Sequence, residues 1–115
     1  MDSTWIVVGA FAAVVSAFQI FRRMGQISGE KARELVKSGA KLVDVRTPGE
    51  FSAGHIDGAV NVPLQELGAR LRHLGPKDKP VVLYCASGTR SAMAKSVLTQ
   101  AGYQQVFNLG SMGRW

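Results

Sequence analysis

Cys85 is the residue whose surroundings most directly suggest chemistry. It lies in the segment Cys85-Ala86-Ser87-Gly88-Thr89-Arg90-Ser91, between an apolar run and a helical pattern. Small residues let such a loop curl tightly, and Gly88 can take a positive φ. A curled loop turns its N–H groups inward and makes an anion-binding concavity. The N-terminus of the following helix adds a positive dipole end, and Arg90 adds a permanent charge. All three favour a thiolate at Cys85, with a pKa below that of a free thiol. The N–H groups from Ala86 through Ser91 would equally hold an anionic sulfur carried on that cysteine or a bound oxyanion. A buried cysteine ending a strand would explain the thiol alone, but not the glycine, the small residues and the arginine after it.

The elements that position this loop follow from the apolar pattern. Ser28 suits a helix N-cap and Glu30 its first turn, Ala32, Leu35 and Val36 form an i, i+3, i+4 stripe, and Gly39 stops the helix. Met24–Ser28 before it reads as a connector or a first edge strand. Lys41–Val45, Ala59–Val62, Pro80–Tyr84 and Gln105–Leu109 read as short strands. Thr47–Asp57 reads as a loop punctuated by Pro48, Gly49 and Gly54. Leu64, Leu67, Leu71 and Leu74 recur at helical spacing, and a helix is predicted from about Arg90 to Ala101, stopped by Gly102. Strands alternating with helices predict an α/β fold with a mainly parallel sheet, whose sites lie at the carboxyl ends of strands. Cys85 is placed at such an end.

Two motifs carry a family resemblance. Asp44-Val45-Arg46-Thr47-Pro48-Gly49-Glu50-Phe51, followed by Gly54-His55-Ile56-Asp57-Gly58-Ala59-Val60-Asn61-Val62-Pro63, closely resembles the signature of rhodanese-like domains. The loop Cys85-x-x-Gly88-x-Arg90-Ser91 resembles their active-site loop. The resemblance covers about residues 27–115. It implies a five-stranded, mainly parallel sheet in an α/β/α sandwich. It also implies a sulfurtransferase that forms a cysteine persulfide from a small anionic sulfur donor such as thiosulfate and discharges it to a thiol or protein acceptor. The related cysteine-based phosphatases and arsenate reductases stand against this, but the phosphatases place five residues between cysteine and arginine. Here there are four, Ala86 to Thr89, a smaller ring suited to a sulfur atom on Cys85. A non-enzymatic sulfur-relay or docking module is the other alternative. Asp44 and Arg46 are read as ion-pair or loop-bracing residues with Glu50 as a partner, and His55 as a structural histidine. A low-pKa thiolate needs no separate base. Members of the family usually carry a Gly-Gly pair before a Trp and then a further helix. Leu109-Gly110-Ser111-Met112-Gly113-Arg114-Trp115 departs from that pattern.

Composition bounds the rest. The chain has 115 residues, room for one domain and a short appendage. Its formal charge of +6 comes from 14 basic and 8 acidic residues. The basic residues are spread from Arg22 to Arg114 rather than gathered in one arm, so no nucleic-acid partner is expected. One cysteine excludes an internal disulfide. His55 and His73 lie in no metal-ligand pattern, so no metal or organic cofactor is expected.

Residues 3–21 contain no charge, span roughly 28 Å as a helix, and are apolar all round. Trp5 lies at one end, and Arg22 and Arg23 close the other. This predicts a single-pass transmembrane anchor over 3–21, a basic connector over 22–26, and the rhodanese-like domain over 27–115. A cleaved signal peptide, with Val15-Ser16-Ala17 as its cleavage site, and a buried helix are the alternatives. The positive residues after the span predict a catalytic domain in the cytoplasm, anchored in a lipid bilayer such as a bacterial inner membrane.

Overall fold

The computed structural model describes residues 9–15 and 25–115. The predicted anchor therefore lies largely outside the described residues, as does most of the connector. Residues 9–15 are helical and exposed. Among the described residues no helix is long and apolar enough to cross a membrane.

The domain is built on four parallel strands: β1 (Lys41–Asp44), β2 (Val60–Asn61), β3 (Val81–Cys85) and β4 (Val106–Ser111). They lie side by side in the order β2-β1-β3-β4. β1 pairs with β3 from Lys41 opposite Val81 to Asp44 opposite Tyr84. The resemblance implies five strands, and the described residues form four. Beyond β4, where a fifth would pair, only an isolated parallel bridge joins Gln26 to Asn108, supported by Ile27 N donating to Asn108 O at 2.9 Å. That short segment leads directly into the N-cap of the next helix, which ends its extended conformation.

Three α-helices accompany the sheet: α1 (Gly29–Lys37), α2 (Pro48–Ala53) and α3 (Thr89–Gln100). α1 begins as its sequence predicts, with the Ser28 hydroxyl accepting from Lys31 N at 3.1 Å. α2 is a correction to the loop reading. Pro48 occupies the first turn, and Thr47 and Glu50 complete a reciprocal capping box. The leucine-rich stretch forms two 3-10 helices, Leu64–Ala69 and Leu71–Leu74, rather than one α-helix. Leu64/Leu67 and Leu71/Leu74 are three apart, which suits the three-residue turn, and Arg70 lies between the two pieces.

Side chains alternate across the sheet with a period of two, and this alternation decides where the cysteine points. Leu42, Val82, Tyr84 and Leu109 pack with Ala32 of α1. Val43, Val81, Leu83 and Cys85 pack on the other face with Ala94 and Leu98 of α3 and with Leu67 and Leu74. Helices thus cover both faces, the α/β/α arrangement the resemblance implies. Every residue of β3 is buried, as a central parallel strand requires.

The exit of β1 is fixed by a buried ion pair. Asp44, 0% exposed, accepts from Arg46 N (2.9 Å), Nε (3.0 Å) and NH2 (2.7 Å). The same guanidinium donates to the Gly54 carbonyl at 2.7 Å and lies 5.7 Å from the Tyr84 ring centroid. Tyr84 Oη accepts from Ile56 N at 3.1 Å. Asn61 Nδ2 ties in β2 by donating to the carbonyls of Asp44 and Arg46 at 3.0 and 2.9 Å. Burial pushes the Tyr84 phenol up to about 12, so it stays neutral here. Replacing Arg46 by alanine leaves the Asp44 carboxylate buried without its cation. We expect a loss of about 3–5 kcal/mol of unfolding free energy, read from urea titration.

Candidate functional site

Cys85 ends β3, and only Ala86, Ser87 and Gly88 separate it from α3. Gly88 makes the tight turn as the N-cap, at φ 98° and ψ −12°. That left-handed conformation carries no steric penalty for glycine. The chain then brings backbone donors back onto the sulfur. Gly88 N donates to Cys85 Sγ at 3.0 Å, and Ser91 N donates to it at 3.4 Å. The Ser91 hydroxyl lies 3.4 Å from the same sulfur. Cys85 is 0% exposed. Thr89, Arg90 and Ser91 belong to the first turn of the helix, so the irregular part of the loop is shorter than the sequence suggests.

Burial alone would raise the Cys85 pKa. The Ser91 hydroxyl and the backbone N–H groups of Ser91, Gly88 and Ser87 outweigh it and bring the thiol below its ordinary value. The main contributors are thus the loop amides and a serine hydroxyl, whereas the sequence reading also credited Arg90. Ser91 was singled out for its backbone N–H, and its hydroxyl role was not foreseen.

Arg90 is held elsewhere. Its NH1 and NH2 donate to Glu50 Oε1 and Oε2 at 2.6 and 2.9 Å. Glu50 was expected beside Asp44 and Arg46. Its carboxylate closes on Arg90 instead, joining the first motif to the second. Hydrogen bonding from Arg90, and then from Thr47 N, lowers the Glu50 carboxyl to about 2. His55 stacks on Phe51, with ring centroids 3.6 Å apart and planes 7° from parallel. Its Nδ1 donates to the Phe51 carbonyl at 2.8 Å. Ala86 and Ser87 are exposed on the outer rim of the loop. Among the described residues no group of His, Cys, Asp or Glu forms a metal site.

The family model for the rhodanese-like domain matches residues 28–115. The chain belongs to the rhodanese-like family. YqhL of Bacillus subtilis is 36% identical over 113 residues, an overlap of 96% of this chain and 88% of that protein. The thiosulfate sulfurtransferase PspE of Escherichia coli is 38% identical over 71 residues, covering 61% of this chain and 68% of PspE. Among solved structures, the human single-domain sulfurtransferase TSTD1 superposes with a TM-score of 0.66 at 28% identity, over 79% of this chain and 91% of that one. This protein is a rhodanese-like sulfurtransferase.

The Ser91 hydroxyl has one proton and two acceptors within reach, Cys85 Sγ and the Gly88 carbonyl at 3.1 Å. With a thiol, S–H donates to Ser91 Oγ and the hydroxyl donates to Gly88 O. With a thiolate, the hydroxyl turns to the sulfur. Ser91→Ala removes the hydroxyl that bonds to the thiolate, so the Cys85 pKa should rise. The limb of the pH–rate profile that reports thiolate formation should move to higher pH by the same amount, and Ser91→Thr should restore it.

Proposed function

We propose that Cys85 carries sulfur as a persulfide between a sulfane-sulfur donor and a thiophilic acceptor. The observation that carries this reading is the convergence of Gly88 N and Ser91 N on the buried Cys85 sulfur at the carboxyl end of β3. The Cys85 thiolate attacks the outer sulfur of a donor such as thiosulfate. The new bond joins Sγ to that sulfur, the donor's S–S bond breaks, and sulfite leaves with the bonding pair. The persulfide anion stays beside the loop amides. A second nucleophile, a small thiol or a cysteine of a partner protein, then takes the outer sulfur and returns the thiolate. Both halves of the cycle leave a negative sulfur at the same place, so one set of donors serves both. Purified protein treated with thiosulfate should gain about 32 Da, one sulfur atom, at Cys85 in intact mass spectrometry. Cys85→Ser should show neither the adduct nor thiocyanate formation from cyanide. Turnover surviving in that variant would refute the cycle, because the chain has no other thiol.

We also propose that residues 3–21 anchor the chain in a bilayer, with the sulfurtransferase domain on the cytoplasmic side. The uncharged run ending at Arg22 and Arg23 supports this, as do the exposed Phe11, Val14 and Val15 of the described helical turns. The full chain should remain with membranes through carbonate extraction. A chain lacking residues 1–23 should be released and still transfer sulfur. Release of the full chain by carbonate would count against the anchor.

A further inference from the structure

The Glu50–Arg90 pair has a geometry that bears on donor choice. Glu50 is fixed before it meets the arginine: its Oε1 accepts from both N and Oγ1 of Thr47, each at 3.1 Å. The carboxylate is therefore part of the α2 cap, a rigid acceptor presented to the active-site helix. Arg90 meets it with two parallel N–H donors, the geometry in which guanidinium binds carboxylate best. The pair is about one-third exposed, 32% and 34%, so a ligand arriving from solvent meets it. The arginine lies in the first turn of α3, next to Ser91, whose N–H and hydroxyl meet the Cys85 sulfur.

A free guanidinium in that position would attract a dianion. Here its charge is already matched by a carboxylate that stays ionised across the physiological range. Thiolate, guanidinium and carboxylate together carry a single negative charge. A donor with two negative charges meets repulsion with no uncompensated cation in the loop to offset it.

We infer that Glu50 is a positioning residue that sets the donor's charge class, favouring sulfane-sulfur donors with at most one negative charge, such as organic thiosulfonates and persulfides, over dianionic thiosulfate. The inference rests on the Cys85 persulfide cycle. With methanethiosulfonate, Cys85 thiolate bonds to the terminal sulfur, the bond from that sulfur to the sulfonyl sulfur breaks, and methanesulfinate leaves with the electron pair. The two anions that enter are matched by the persulfide anion and the sulfinate that result. Thiosulfate reacts in the same way and differs by one charge on the leaving group.

The test compares kcat/KM for thiosulfate and for methanethiosulfonate in the full chain and in Glu50→Gln. Glutamine can also complete a capping box, so the substitution removes the charge and keeps the cap. The wild-type protein should favour the thiosulfonate. In Glu50→Gln the thiosulfate-to-thiosulfonate ratio should rise by about tenfold or more, as expected for freeing one charge near the reacting atoms. Adding Arg90→Gln should abolish the rise, a result that a merely structural role for Glu50 would not give. An unchanged or lower ratio in Glu50→Gln overturns the inference, as does a wild-type preference for thiosulfate, which needs no variant to fold. In either case a persulfide on Cys85 by mass leaves the cycle standing. If neither donor yields that persulfide, the cycle fails and the inference falls with it.

Discussion

A sulfur that must carry negative charge inside a protein needs donors fixed around it before the charge appears. At Cys85 those donors are backbone N–H groups and the Ser91 hydroxyl, and the backbone can be aimed only by the elements on either side. β3 sets the position of Sγ, because the alternation along Val81, Leu83 and Cys85 turns the side chain toward the α3 face. α3 sets the position of the donors, because its first turn presents Ser91 N and its N-cap presents Gly88 N. Ala94 and Leu98 anchor the helix against the sheet. The buried position of the sulfur strengthens each donor by excluding water, while the same burial opposes the charge. The donors outweigh the burial, and the thiol lies below its ordinary pKa.

The first motif serves this loop from a distance. Asp44 and Arg46 form a buried pair at the exit of the neighbouring strand and reach Gly54, while Tyr84, one residue before the cysteine, binds Ile56. The turn that follows α2 is thereby tied to β3. α2 in turn presents Glu50 to Arg90. Two motifs separated by some forty residues in sequence thus meet as one polar frame around the sulfur, a contact recorded directly by the Arg90–Glu50 bonds.

Much of this was legible in the residues. The four strands, the helix after the cysteine loop and the positive φ of Gly88 all followed from local rules. α2 was missed although its signal was present: Thr47-Pro48-Gly49-Glu50 is a capping box with proline in the first turn, and the glycine and proline were read only as loop punctuation. The leucines were read only as helical in spacing, because i, i+3 is shared by the α-helix and the 3-10 helix; the structure forms two 3-10 helices. Glu50 was assigned to Arg46 by proximity in sequence. Its bond to Arg90, forty residues away, is a product of the tertiary fold and has no local signature. The Ser91 hydroxyl was overlooked for a related reason, since its contact with Sγ depends on the exact turn between strand and helix.

We propose that the loop amides hold the transferred sulfur as an anion. Amide proton and nitrogen shifts of Gly88 and Ser91, followed by NMR as a donor converts the thiolate to the persulfide, report on those bonds directly. Both amides should stay strongly hydrogen-bonded and shift together with the chemical state of Cys85, while amides on the far side of the sheet, such as that of Leu42, should not move. Amides of Gly88 and Ser91 that stay unchanged while mass spectrometry records the added sulfur would contradict it, because the sulfur would then be carried outside the cradle.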